Sequence, residues 1–359
     1  MRILLVTEFF PQDDELKFTG GVEARTYYLA RELKKNHQVK VSSRSATAVP
    51  ATPGSLLMRL WFMVTAIIKG IFTPADIVEG SNFVTYLPAF IIAKIKQVPA
   101  IAWYPDVLLG LWHKNFGAVG IIGEIMEQLA LKLPWNGIIA LSHQTKTKLI
   151  GAGVPSEKIK VVYAGIDKQA ISAIKAKKSA APTICTISRL VSYKRIGDLI
   201  TAFAIVRQRL NRAKLIIIGT GPQRAQLKSL AQKLKVGQGI TWQSNLPRQE
   251  LLVTLKSAHV FCLPSVIEGF GLVTLEAMAA GIPYVNADID TNREITHHGL
   301  GGLLFTRQAP QNLAKKLLSL LTDKKLYDQK VDEGKQLLKN YSWQKSASQT
   351  INVYESALL

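Results

Sequence analysis

Cysteine is nearly missing from this chain. Cys185 and Cys262 are the only two in 359 residues, too few for a disulfide framework, and both stand in apolar runs that read as small buried side chains in a reducing compartment. Long apolar runs are missing as well. The greasiest stretch, Ser55 to Phe72, is interrupted by Arg59 and Lys69, whereas a spanning helix needs about 20 apolar residues. It reads either as a core helix or as an interfacial helix whose two cations reach lipid headgroups. The opening run, Met1 to Glu8, has an apolar core too short for a signal peptide and reads as a first buried strand. The expected location is therefore cytoplasmic.

Acidic residues are scarce. There are 25 Asp and Glu against 45 Lys and Arg, a net charge of +20. Residues 1–167 hold 18 basic and 13 acidic residues, and residues 168–359 hold 27 and 12. Such a surface favours anionic partners: phosphorylated ligands, acidic lipid or nucleic acid. Nucleic-acid binding, the rival to an enzymatic reading, calls for a basic stripe and stacking aromatics. Here the lysines are scattered over helix faces without an Arg-rich run, so no nucleic-acid partner is expected.

Several fingerprints are absent too. Gly219-Thr220-Gly221-Pro222 follows a strand but has Arg224 where a dinucleotide fingerprint needs its third glycine, and no Walker sequence occurs. No Gly-x-Ser-x-Gly nucleophile elbow is present. The histidines show no metal-ligand spacing. Asp288-Ile289-Asp290 reads as a loop. No metal and no cofactor are expected.

What is present is a repeating alternation. With 48% hydrophobic and 19% charged residues, the chain is globular rather than disordered, and its length suits two domains. Short apolar runs at 3–7, 39–42, 77–79, 100–103, 137–141 and 159–162 read as strands, separated by helix-length amphipathic segments. The pattern restarts at 183–187 and continues at 214–218, 240–243, 260–263 and 284–286. Strands alternating with longer helices imply parallel sheets of the doubly wound α/β class. Residues 167–182, rich in lysine and alanine, carry no core pattern for a full element and are the linker candidate. The boundaries expected are 1–167 and 168–340. Each domain should bind ligands at the carboxyl edge of its strands.

Two loops draw attention at those edges. Gly20-Gly21 opens a helix after the first strand, where backbone N–H groups could approach an anion. The segment from Val260 to Gly281 is more informative. A strand ends at Pro264, Glu268 sits in the loop, Gly269-Phe270-Gly271 turns into a helix, and Glu276 lies on that helix. The N–H groups of Phe270, Gly271 and Leu272 stand where a helix has no internal partners for them, a phosphate cradle by position. A carboxylate pair beside a phosphate cradle suits a nucleotide sugar, whose ribose and hexose hydroxyls donate hydrogen bonds.

Glu268 and Glu276, with seven residues between them, resemble the acidic pair of retaining glycosyltransferases with the GT-B fold. The form Glu-Gly-Phe-Gly-Leu is similar to glycosyltransferase family 4. Further landmarks are Gly20-Gly21, the run from Ile187 to Lys194, Ile218 to Pro222, and Tyr341-Ser342-Trp343. The resemblance implies two Rossmann-like domains facing across a cleft, the first acceptor-side and the second donor-binding, with a C-terminal helix (341–359) crossing back onto the first. It implies Arg189 and Lys194 as the cations for the donor diphosphate, Glu268 as the acid contacting the sugar, and Glu276 as the ribose acid. Gly219, Gly221, Gly269 and the Phe270–Leu272 backbone would lie along the donor, and Gly21 near phosphates or acceptor. Many relatives carry a histidine after the fourth strand of the first domain. Here that place reads Trp103-Tyr104-Pro105-Asp106, so Tyr104, Asp106 or the more distant His113 is expected on the sugar side. The implied reaction is metal-independent transfer of a hexose-type sugar from a nucleotide-diphosphate sugar to a glycan or lipid-linked acceptor. It would proceed by front-side displacement. The net charge and the Ser55–Phe72 segment separately fit transient docking at the anionic inner face of a membrane. A subunit that lost activity is a further alternative, but each key acid and cation is in place.

Overall fold

The computed structural model describes residues 1–11, 20–44, 53–113 and 117–359, and the side chains of all of these except 53–56. The polar loop ahead of Gly20 lies outside the described residues. The chain divides into two compact units, residues 1–165 with 343–359, and residues 166–342.

Unit 1 is a six-stranded parallel sheet in the order β2-β1-β3-β4-β5-β6, formed by β1 (Arg2–Val6), β2 (Gln38–Ser42), β3 (Ile77–Gly80), β4 (Ala100–Tyr104), β5 (Gly137–Ala140) and β6 (Ile159–Val161). The connecting helices are α1 (Gly21–Leu33), α2 (Pro53–Phe72), α3 (Phe83–Lys96), α4 (Val119–Lys132) and α5 (His143–Gly151). Right-handed crossovers decide the layers. The β1–β2 step runs one way along the sheet and all later steps run the other, so α1 takes one face and α2 to α5 the opposite one. Strand parity follows this division. Leu4, Val6, Val78, Ala102 and Tyr104 join the core under Phe62, Met63, Ala66 and Ile92. The other face receives α1 and the last helix, α14 (Trp343–Leu358), where Trp343 stacks on Tyr28 at 5.3 Å between ring centroids.

Along the Ser55–Phe72 stretch apolar side chains turn both ways. Phe62, Met63 and Ala66 face the core, while Leu57, Trp61, Val64 and Phe72 are exposed. Among the described residues no helix is long and apolar enough to cross a membrane.

Unit 2 repeats the plan with the order β12-β11-β10-β7-β8-β9, from β7 (Thr183–Ile187), β8 (Lys214–Ile218), β9 (Ile240–Gln243), β10 (Val260–Leu263), β11 (Tyr284–Ala287) and β12 (Gly302–Phe305). Its helices are α6 (Lys168–Ala173), α7 (Ile196–Arg209), α8 (Arg224–Lys233), α9 (Arg248–Ser257), α10 (Leu272–Ala279), α11 (Asp290–Ile295), α12 (Pro310–Thr322) and α13 (Lys324–Leu337). One face packs Ile184, Val260, Cys262 and Val285 against Leu199, Phe203, Leu313 and Leu317. Cys185 and Cys262 are free and buried, and burial pushes the Cys185 thiol up to about 12.

The stretch 167–182 is not a bare tether. Asp167 caps α6 through Ala170 N–H at 3.2 Å, and Ile171 is buried. Lys178 donates to the Ala258 carbonyl at 2.6 Å, and Lys256 reaches back to Ser172 and Ile174. Lysines that look solvated in the sequence bind carbonyl oxygens at the ends of helices, where partial negative charge collects.

Candidate active site

In unit 2 the strand order reverses between β7 and β10. The chain moves from β7 outward to β8 and β9, then returns to lay β10 on the other side of β7. Loops leaving neighbouring strands at such a point diverge and leave a crevice at the carboxyl edge. The loop after β7 (188–195) and the loop after β10 (264–271) both start there.

The loop after β7 closes in a short 3-10 turn, Ser192–Lys194. Its carbonyl at Tyr193 accepts the Val266 N–H at 2.9 Å, tying it to the loop after β10. Across that tie the Lys194 ammonium contacts the Glu268 carboxylate directly, with side chains only 13% and 9% exposed. Tyr193 lies beside both expected cations. Arg189 donates to its hydroxyl, and the Arg189 guanidinium and the Lys194 ammonium stand 5.9 and 5.6 Å from its ring centroid. Thr291 fixes the acidic loop from the other side, donating to the Glu268 carbonyl at 2.9 Å. Arg189, Lys194 and Glu268 therefore form one linked group.

Gly271 is the N-cap of α10 at φ 79°, left-handed backbone that costs a residue with a Cβ about 1–2 kcal/mol. Thr274 N–H bonds back to the Gly271 carbonyl at 2.8 Å. The N–H groups of Leu272 and Val273 precede the first intrahelical bond, at the positive end of the helix dipole. Further along, Glu276 meets Arg248 of α9 at 2.6 Å, both largely buried. Sequence reasoning missed Arg248. Nothing in the sequence links it to Glu276 across 28 residues and two intervening loops.

Gly219 and Gly221 have a packing reason for being glycine. A Cβ at either would lie 1.9 Å from the Ser188 carbonyl or 2.3 Å from that of Leu190. The loop after β8 is laid backbone to backbone on the loop after β7, with Leu190 N–H bonded to the Thr220 carbonyl at 2.8 Å. Asp288, in the Asp-x-Asp stretch, is held by Arg293 at 2.6 Å, which keeps its carboxyl below the usual range.

The expected residues of unit 1 stand in unlike settings. Gly20 and Gly21 stand exposed at the start of α1. Tyr104 is fully buried, stacked on Tyr86 at 4.5 Å, and burial raises its hydroxyl well above the usual value. It is a core residue rather than a sugar-side one. Asp106 pairs with Lys148 at 2.6 Å, and His113 is exposed.

Residues 19–170 match the family model described as Glycosyltransferase Family 4, and residues 167–337 match Glycosyl transferases group 1. The chain belongs to glycosyltransferase family 4. An uncharacterized glycosyltransferase of Methanocaldococcus jannaschii is 31% identical over 62% of this chain and 60% of its own length, so this alignment spans about three fifths of that relative. A GDP-mannose-dependent phosphatidylinositol monomannoside mannosyltransferase of Mycobacterium tuberculosis is 28% identical over 51% of this chain and 52% of its own. Among solved structures, HepE of Anabaena in complex with UDP and glucose has a TM-score of 0.77 at 19% identity, covering 99% of this chain and 100% of that one. That likeness establishes the fold of this family 4 chain as GT-B.

Proposed function

We propose that this family 4 glycosyltransferase moves a hexose-type sugar from a nucleotide-diphosphate sugar to a hydroxyl of a glycan or lipid-linked acceptor, keeping the anomeric configuration. The observation that carries the reading is the Lys194–Glu268 contact at the switch point, with Arg189 held beside it through Tyr193. Two cations at the edge of a sheet neutralise charge that grows on a departing diphosphate, and they are pre-set before any ligand arrives. They supply without a metal what a divalent ion supplies elsewhere.

In this reading unit 2 takes the donor. The diphosphate lies against the N-terminus of α10, Glu276 accepts hydrogen bonds from the ribose under the grip of Arg248, and Glu268 contacts the sugar. The buried Gln243 side-chain oxygen at the end of β9, without a hydrogen-bond partner, offers an acceptor toward the base. The bond from the anomeric carbon to the phosphate oxygen breaks as the acceptor oxygen bonds the same carbon on the same face. The acceptor's proton goes to the departing phosphate oxygen. Unit 1 takes the acceptor. The solved structure with UDP and glucose supports the donor class, and the phosphatidylinositol monomannoside mannosyltransferase relative supports a lipid-linked acceptor.

Thermal-shift measurement against a panel of nucleotide sugars tests the reading, because a ligand that binds only the folded state raises its stability. One nucleoside-diphosphate sugar should raise the melting temperature, and Glu276→Ala should weaken its binding about tenfold, the worth of one hydrogen bond to a charged group. A panel with no response, or an unchanged response in the variant, would sink the assignment.

A further inference from the structure

Unit 1 has a switch point of its own. The chain steps from β1 to β2 on one side and returns to lay β3 on the other, which opens a crevice at the carboxyl edge between β1 and β3. Three charged side chains from separate segments meet at that edge. Glu8 follows β1, Arg44 follows β2, and Arg59 reaches in from α2. Arg59 donates through Nε to Glu8 Oε1 at 2.7 Å, and Arg44 Nη1 stands 3.8 Å from the same oxygen. The side chains of Glu8, Arg44 and Arg59 are only 4%, 12% and 20% exposed. Among the described residues neither arginine pairs with another acid.

The charges at this edge do not balance. Two guanidiniums share one carboxylate, which leaves one positive charge over at a largely enclosed place, and an enclosed charge without a counterpart is costly. Nor are the donors used up. Arg59 commits its Nε to Glu8, and Arg44 lies beyond hydrogen-bond reach of it. The Nη groups of both are left for an oxyanion, which guanidinium forks grip in pairs. Each guanidinium is also steadied by a ring. That of Arg59 stands 5.9 Å from the Phe83 centroid, with Phe83 packed edge-on against Trp112 at 4.7 Å, and that of Arg44 stands 5.7 Å from Phe9. At the end of β3 the fully buried Ser81 hydroxyl has no hydrogen-bond partner among the described residues, while its backbone N–H bonds the Val6 carbonyl of β1 at 3.2 Å. We infer that Arg44 and Arg59 form an oxyanion site in unit 1 that takes a singly charged group, the carboxylate of an acidic sugar or a phosphodiester. One excess positive charge matches one negative charge, whereas a dianionic phosphomonoester would be left half-neutralised beside Glu8. For its purpose, selecting an acceptor that carries such a group, the inference rests on the reading that unit 1 takes the acceptor; the site itself needs neither the donor nor the mechanism.

Ligand-observed NMR titration of the full chain tests it, with methyl glucuronide as the carboxylate probe, dimethyl phosphate as the phosphodiester probe and methyl glucoside as the neutral control. At least one of the two anions should bind and the neutral glycoside should not; the tighter anion names the source of the charge. Binding should survive Lys194→Ala, which removes a cation of unit 2 and leaves unit 1 untouched. Arg44→Gln and Arg59→Gln should each weaken it about tenfold, the worth of a hydrogen bond to a charged group. Glu8→Gln should act in the opposite direction. It removes the competing carboxylate and raises the excess to two positive charges, so the anion should bind about tenfold tighter and inorganic phosphate should bind as well. Arginines that serve only to hold Glu8 would give no such gain. The inference is overturned if neither anion binds the parent, if Lys194→Ala abolishes the binding, if both arginine variants bind like the parent, or if Glu8→Gln folds and binds no tighter. Anion binding that follows this pattern without any nucleotide-sugar shift would remove the transferase reading and leave the oxyanion site standing.

Discussion

Each unit holds a carboxylate against a cation, and the two pairs are finished differently. In unit 1, Arg25 and Glu79 are 2% and 0% exposed. The guanidinium reaches both carboxylate oxygens and lies 4.4 Å from the Trp103 ring centroid, while Tyr354 of α14 donates to Glu79 at 2.7 Å. Each side of this pair is closed by protein. In unit 2, Lys194 and Glu268 touch at the open edge of a sheet, each with a fringe of solvent. A closed pair can only hold the fold, because removing either partner strands a charge in a medium that cannot solvate it. An open pair can be divided. A diphosphate can draw the ammonium while hydroxyls occupy the carboxylate. On the proposed reading, burial more than residue type separates a structural ion pair from a working one.

The strongest test of that contrast is Glu79→Ala. Breaking a closed pair should cost about 3–5 kcal/mol and lower the melting temperature of unit 1 by roughly ten degrees, as scanning calorimetry would record. Glycosyl transfer by the surviving folded fraction should persist. Lys194→Ala should do the reverse. Loss of one preorganised charge lowers kcat by about 10²–10³-fold, whereas stability moves by no more than about 1 kcal/mol. Steady-state kinetics and a melting curve on the two variants read the crossing directly. A Lys194→Ala enzyme that melts early and works normally would reverse the roles assigned to the two pairs.

The contrast was only partly visible in the sequence. Alternating apolar runs and helices were enough for the doubly wound sheets, since parallel strands buried on both faces read as continuous apolar stretches. The last strand, β12, escaped because Gly299, Gly301 and Gly302 around its start look like turn residues, and Gly302 is glycine for the approach of the Tyr284 carbonyl. Arg189 and Lys194 were legible only through the family resemblance, whereas Glu268 was marked by the glycine turn and the second acid that follow it. Arg248 was not, because no period or motif links side chains on two different helices. Tyr104 was misjudged for a related reason. β4 is buried along its whole length, so strand parity could not say that its last residue turns inward beneath Tyr86.

A third carboxylate sharpens the comparison, because Glu127 is buried without a cation among its hydrogen-bond donors. Trp112 Nε1 donates to it at 2.7 Å and Leu108 N–H at 3.1 Å. Burial outweighs these two donors and pushes its carboxyl from 4.5 up to about 7, with Asp106 adding to the rise. The folded state therefore keeps a proton that the unfolded chain releases. The stabilisation is fully present below about pH 4.5 and is lost as pH rises through about 7. Glu127→Gln should remove a fall of about 3 kcal/mol across that window, seen as a flatter plot of melting temperature against pH. A plot of unchanged slope would mean that hydrogen bonds alone keep Glu127 ionised.

The smallest predicted effect isolates one atom. Tyr354→Phe deletes only the hydroxyl that donates to Glu79, leaving ring and guanidinium in place. A hydrogen bond to a buried charged group is worth about 1.5–3 kcal/mol, and Arg25 still satisfies most of the carboxylate, so a loss of about 1–2 kcal/mol is expected. Tyr193→Phe is its counterpart in unit 2, deleting a hydroxyl that accepts from the exposed Arg189. Water can replace that partner, so the melting temperature should stay put while kcat declines, because the guanidinium loses its anchor beside Lys194. Equal melting shifts in the two phenylalanine variants would mean that the edge of unit 2 is as closed as the interior of unit 1, and the distinction between the two ion pairs would fall with it.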